Sequence, residues 1–160
     1  MPNSVEEVRL TANDAIISKM SFSWESIDPR SCVELGYYKD GIFSLTMKGL
    51  DGKEKIGRIM DTLRKNPPAQ IGDYKVNSFR DYKTDTIRAL ETGEVKPTGL
   101  PTSNVLYFDL TDAAWLCVRP SGTEPKVKFY YGIKGTSLED ADAKSAALGE
   151  KVLAMINEML

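Results

Sequence analysis

Hydrophobic residues recur along the chain at two spacings, and the places where one spacing gives way to the other predict its elements. Ile56, Ile59, Met60 and Leu63 repeat with a period near 3.6 across residues 53–65, which gathers them on one helical face. Asn66-Pro67-Pro68 stops that helix, because proline lacks an amide hydrogen and its ring collides with the preceding turn. Alternation with period two marks strands instead. Phe43, Leu45 and Met47 alternate with Ser44, Thr46 and Lys48, and Tyr74, Val76 and Ser78 begin a second strand. Val105 to Phe108, Trp115 to Val118 and residues 126–133 supply three more. In the last of these Val127, Phe129, Tyr131 and Ile133 face one way, while Lys126, Lys128, Tyr130 and Lys134 face the other.

Helical spacing returns at both ends of the chain. Ser137-Leu138-Glu139-Asp140 has the form of an N-terminal cap, followed by a stripe of Ala143, Ala147, Leu148, Val152, Met155, Ile156 and Met159. Ser4 and Glu7 form a capping-box pattern ahead of Val8, Ala12, Ala15, Ile16 and Met20, predicting a helix over 5–19. Residues 21–30 then read as a connection, with a boundary near 33–36. Residues 81–101 read as an excursion with one short helical turn at 86–90. The expected fold is α+β: one mostly antiparallel sheet of four to five strands, with two main helices packed on a single face. Residues 1–34 form an unassigned helix and linker, and residues 35–160 a domain.

Composition narrows the function classes. The 160 residues are 41% hydrophobic and 28% charged, a globular profile, and the net charge of -2 argues against a nucleic-acid surface. No apolar run approaches the roughly 20 residues that span a bilayer, and no signal core follows the N-terminus, so the expectation is a cytoplasmic protein without membrane contact. The two cysteines, Cys32 and Cys117, are far apart and lack metal-ligand spacing. Cys117 reads as a small buried hydrophobe, no disulfide is expected, and no metal site is expected either. The chain has no histidine. That removes the commonest general base and every Ser-His or Cys-His pair, leaving binding groups better represented than catalytic ones.

Those binding groups are concentrated in Arg119-Pro120-Ser121-Gly122-Thr123-Glu124-Pro125-Lys126, the turn between the last two strands. Arg119 offers a planar fork of N–H donors, Ser121 and Thr123 offer hydroxyls, and Gly122 lets the backbone bend so that its amides turn inward. Lys128, on the polar side of the following strand, adds a point charge. Taken singly, each residue fits an ordinary polar turn or a solvated strand face. Together they are equipment for gripping a phosphate.

The chain from 35 to 160 resembles the C-terminal domain of the α-D-phosphohexomutases, in their bacterial phosphoglucomutase and phosphomannomutase branch. The matching text is Gly36-Tyr37-Tyr38-Lys39-Asp40-Gly41, Asn66-Pro67-Pro68, Asp81-Tyr82, Leu100-Pro101-Thr102-Ser103-Asn104-Val105-Leu106 and, most specifically, Val118 through Tyr130. The resemblance implies a small lid with a sheet like that of the TATA-binding protein, in which Arg119, Ser121, Gly122 and Thr123 clamp the substrate phosphate and Lys128 is the basic residue of the next strand. It implies hexose phosphates as partners: glucose or mannose 1- or 6-phosphate and a bisphosphate intermediate, with phosphoryl transfer between the 1- and 6-hydroxyls. It also implies a phosphoserine, a Mg²⁺ loop and a sugar-recognition loop in the remaining mutase domains.

None of those three strings occurs here, so no cofactor is expected in this chain, and catalytic residues are expected to be absent. The chain is expected to be about one quarter of the enzyme and inactive alone. Residues 1–34 fall outside the resemblance. A different class of function is a stand-alone adaptor that uses the same fold to bind a protein, for which Phe22 and Trp24 could supply the contact surface, although both are expected to pack back onto the sheet.

Overall fold

In a computed structural model of the chain, the described residues are 36–160. The capping box at Ser4 and Glu7, the helix over 5–19, the connection at 21–30, Cys32 and the aromatics Phe22 and Trp24 lie outside them.

The strands are β1 (Tyr37–Thr46), β2 (Gln70–Ile71), β3 (Tyr74–Asp81), β4 (Thr86–Ala89), β5 (Val95–Lys96), β6 (Leu106–Leu110), β7 (Trp115–Pro120) and β8 (Lys126–Gly135). The helices are α1 (Gly52–Lys65) and α2 (Leu138–Asn157). The sheet runs β1-β8-β7-β6-β3-β4-β5 with every pairing antiparallel, and β2 attaches to β3 outside that path. Its five principal strands are the five the alternation predicts. Three short strands extend it.

One of those short strands, β4, replaces the helical turn expected at 86–90. Thr86 to Ala89 pairs with Phe79 and its neighbours on one side and with β5 on the other. The β-branched Thr86 and Ile87 suit a pleated surface, and the tight turn at Asp85, with φ of 55°, returns the chain alongside β3.

One face of the sheet carries the core. Direct cross-strand partners Phe129, Val118 and Leu106 form one buried row, and Tyr131, Leu116 and Phe108 form the next. Ile56, Ile59, Met60 and Leu63 of α1 and Leu148, Val152 and Ile156 of α2 close over the same core. At roughly 1.5–3 kcal/mol per large apolar side chain, this burial is the main force holding the hairpins in register. In α2 the inward stripe runs Ala141, Ser145, Leu148, Val152, Ile156, and the expected members Ala143 and Ala147 are exposed. Alanine fits either face of a helix, so the alanine-rich first half leaves the rotation undetermined by hydrophobicity.

β3 also departs from simple alternation. A register shift between Val76 and Ser78 changes the phase, so Phe79 and Asp81 point inward after Val76, and Ser78 turns to the opposite face. A bulge of this kind puts one extra residue in one strand and reverses the facing of everything beyond it. Asp81 is therefore buried. It accepts from Arg64 Nε at 3.2 and 3.1 Å, from the Lys83 amide at 3.0 Å and from the Thr84 hydroxyl at 2.9 Å, which ties the end of α1 to the sheet.

The second helix is capped as its sequence predicts. Ser137 Oγ accepts from the Asp140 amide at 3.0 Å, and Asp140 reaches back to accept from the Thr136 amide at 2.8 Å. Among the described residues, no helix is long and apolar enough to cross a membrane.

Candidate functional site

The sequence-predicted site residues meet at one end of the sheet. β7 and β8 form a hairpin, and residues 121–125 are its tip. Alternation along β8 sends Val127, Phe129 and Tyr131 into the core, which forces Lys126, Lys128 and Tyr130 onto the helix-free face. On β7 the same constraint buries Leu116 and Val118 and turns Cys117 and Arg119 outward. Arg119 and Lys128 are then direct cross-strand partners, side by side on the open face.

This pairing has an electrostatic cost. Like charges directly opposite one another across a strand pair are destabilising. Among the described residues, neither Arg119 nor Lys128 has an ion-pair partner, although most other cationic side chains of the α1 and β3–β6 region do, including Arg64, Arg80 and Lys55. Both residues are exposed. The arrangement leaves two uncompensated cations at the base of one loop.

The loop itself is tied down from several sides. The Ser121 amide donates to the Lys126 carbonyl at 2.7 Å, the Lys126 amide to the Glu124 carbonyl at 2.8 Å, and the Glu124 amide to Ser121 Oγ at 3.3 Å. Outside the hairpin, the Met47 amide donates to the Pro125 carbonyl at 2.8 Å, fixing the loop to the end of β1. Gly52, the first residue of α1, sits so close to the Met47 carbonyl that any Cβ there would collide with its oxygen and crowd Pro125. That glycine lets α1 begin directly against the loop.

Some donors are left over. Among the described residues, the amides of Gly122 and Thr123 have no acceptor within the chain, and the Thr123 hydroxyl has no partner. The Ser121 hydroxyl accepts from Glu124 and retains its own proton to donate. Gly122 departs from its expected role: its φ lies outside the left-handed region, and a Cβ there would meet nothing within 4 Å. The chain's own conformation does not demand glycine at this position. What glycine leaves there is open space beside two unused amides.

The register adds neighbours that the hairpin sequence alone did not identify. Ser44 lies opposite Lys128 and Thr46 opposite Lys126, because β1 pairs with β8 along its full length. Lys126 forms an ion pair with Glu124 at 3.3 Å. The charges of Glu124 and Lys126 are visible in sequence, whereas Ser44 becomes a neighbour only through a pairing that spans most of the domain.

Farther along the open face lie Cys117 and an aromatic group. Cys117 is half-buried between Tyr107 and Tyr130 on this face, not in the core as expected, because its neighbours Leu116 and Val118 take the inward positions. Burial pushes its thiol pKa up, and the nearby Arg119 partly opposes that. Tyr107 and Trp115 stack at 5.8 Å, and the Arg80 guanidinium lies 5.0 Å from the Tyr107 ring while pairing with Asp109 at 3.0 Å. Burial pushes the Tyr107 phenol up to about 12. Neither group is poised to transfer a proton near neutral pH. No group of three or more His, Cys, Asp or Glu side chains able to hold a metal ion occurs among the described residues.

Residues 58–155 match the family described as phosphoglucomutase/phosphomannomutase, C-terminal domain. The chain is similar to proteins named phosphoglucomutase from Staphylococcus aureus: 39% identical over 114 residues for strain bovine RF122 / ET3-1, and 38% for strain USA300. Each match covers 71% of this chain and 20% of the relative. The chain thus spans about a fifth of the length of the curated relatives it matches. It belongs to the phosphoglucomutase/phosphomannomutase family, through that family's C-terminal domain.

Proposed function

We propose that this family member is the phosphate-gripping lid of a hexose phosphomutase, with residues 35–160 as the lid domain and residues 1–34 as a separate segment. Arg119 and Lys128 supply charge, the Gly122 and Thr123 amides supply fixed dipoles, and the Ser121 and Thr123 hydroxyls donate to the remaining phosphate oxygens. The substrate is a hexose 1- or 6-phosphate, and the bisphosphate formed during transfer is gripped by the same group. The observation that carries the reading is the facing pair of cations, neither matched by a carboxylate among the described residues, set beneath a loop with two amides that have no acceptor among those residues. A phosphate dianion relieves the repulsion and satisfies the donors together.

The role is positional. Charge-assisted hydrogen bonds contribute about 1.5–3 kcal/mol each, so four or five contribute most of the affinity of a closed state after the cost of ordering is subtracted. Closing over the phosphate also excludes water, which protects a phosphorylated nucleophile from hydrolysis. Mg²⁺ neutralises charge on the transferring phosphoryl group in such enzymes. The described residues do not fit that ion, so no step here runs through it, and the ion and the nucleophile belong to the remaining mutase domains.

Calorimetric titration of glucose 6-phosphate into the chain tests the proposal. Weak binding is expected, lost in Arg119→Ala and reduced in Lys128→Ala. Binding that is indifferent to both substitutions overturns the assignment. The chain alone is expected not to interconvert glucose 1-phosphate and glucose 6-phosphate, and sustained turnover that co-purifies with it would place catalytic groups where none is proposed.

A further inference from the structure

Glu124 is the one carboxylate inside the loop, and a carboxylate beside an anion site is unfavourable unless it has a use. Its side chain holds the Lys126 ammonium at 3.3 Å, while its amide and carbonyl are tied to Ser121 Oγ and the Lys126 amide. Lys126 shares the open face with Lys128 two residues on, about 7 Å away. Without Glu124 the hairpin would present three cations: Arg119, Lys126 and Lys128. With it, one of the three is matched, and two positive charges remain.

We propose that Glu124 determines which anions the loop prefers, by neutralising Lys126 so that the net charge presented matches a phosphate monoester dianion and not a more highly charged group. The inference rests on the anion-binding reading of the hairpin. Glu124 is 60% exposed and Lys126 29%, and an ion pair this accessible contributes little to folding. Its effect therefore falls on the ligand. A charge about 7 Å from the bound anion in water at low salt changes affinity about threefold per unit of ligand charge. The factor compounds with each additional ligand charge, so it separates pyrophosphate from sulfate.

The test measures the affinities of sulfate and pyrophosphate at low, matched ionic strength for the wild-type chain, Glu124→Gln and Lys126→Gln, with amide spectra recorded for each. In Glu124→Gln both anions bind more tightly, and the preference for pyrophosphate over sulfate rises about threefold. In Lys126→Gln the unmatched carboxylate shifts that preference the other way by a similar factor. An unchanged ratio in both variants, or equal weakening toward both anions, overturns the proposal and leaves Glu124 as a turn-locking residue only. If the wild-type chain binds neither anion, the anion-binding reading itself fails, an outcome distinct from a flat ratio.

Discussion

Replacing Lys128 with threonine separates the electrostatics of the empty hairpin from those of the occupied one, and the two effects have opposite signs. Directly opposed residues in an antiparallel pair have Cα atoms about 4.5–5.5 Å apart, so the Arg119 and Lys128 charges lie on the order of 6 Å from each other. In water that repulsion amounts to about 0.7 kcal/mol, and salt lowers it further. Threonine keeps the strand preference and removes the charge, so the variant in phosphate-free buffer is expected to be as stable as the parent, or more stable by up to about 0.7 kcal/mol.

Ligand reverses the order. At a concentration one hundred times its dissociation constant, phosphate stabilises the parent by about 2.7 kcal/mol, a rise in melting temperature of about 10 °C for a domain of this size. A variant that binds phosphate about tenfold more weakly should show about half of that rise. Thermal unfolding followed by circular dichroism, across a phosphate series held at constant ionic strength with sodium chloride, measures both terms. The reasoning is refuted if Lys128→Thr loses more than about 1 kcal/mol in the absence of phosphate, because the lysine would then be structural. It is equally refuted if parent and variant respond to phosphate identically.

Three further expectations follow from individual contacts. Gly122→Ala should leave thermal stability unchanged, since its Cβ meets open space, yet weaken glucose 6-phosphate binding in a calorimetric titration; unaffected binding would mean the ligand does not use that space. Asp81→Ala should cost about 1.5–3 kcal/mol in urea unfolding, because it removes the buried carboxylate that accepts from Arg64, whose side chain is 13% exposed and keeps, among the described residues, only Asn104 and the exposed Asp61 as partners, and a loss below 1 kcal/mol would remove this pair from the packing account. Lys144 and the Thr136 amide hold the Asp140 carboxyl below its ordinary value of 3.8, so its contribution to stability is complete well above pH 3.8 and disappears as pH falls through the lower folded-state value. Asp140→Asn should accordingly flatten part of the acid dependence of unfolding below about pH 4, while an identical pH profile would contradict the cap geometry.

How far the sequence discloses this molecule depends on which interactions are local. The apolar stripe of α1, its proline stop and the Ser137 cap involve residues within a few positions of one another, and each is legible with its correct partners. The inward and outward faces of β8 are equally plain, whereas Cys117 of β7, which reads as a buried hydrophobe, lies on the open face. Placement of β4 is not, because Thr86 to Ala89 becomes a strand only by pairing with residues of β3 and β5. The phase change at Ser78 arises from a bulge that no alternation announces. At the site, the charges, the hydroxyls and the hairpin are visible in the sequence. That the Gly122 and Thr123 amides lack acceptors, and that Arg119 faces Lys128 directly, depends on register and on the complete set of hydrogen bonds. Ser44 enters the neighbourhood only because β1 returns to pair with β8.

The most direct measurement is a titration of isotope-labelled chain with glucose 6-phosphate, following every backbone amide and the Arg119 side-chain Nε–H by nuclear magnetic resonance. The account predicts that the Gly122 and Thr123 amides and the Arg119 signal shift together with one saturating affinity, while the core strands stay still. Motionless Gly122 and Thr123 signals, with shifts gathered elsewhere on the sheet, would contradict it.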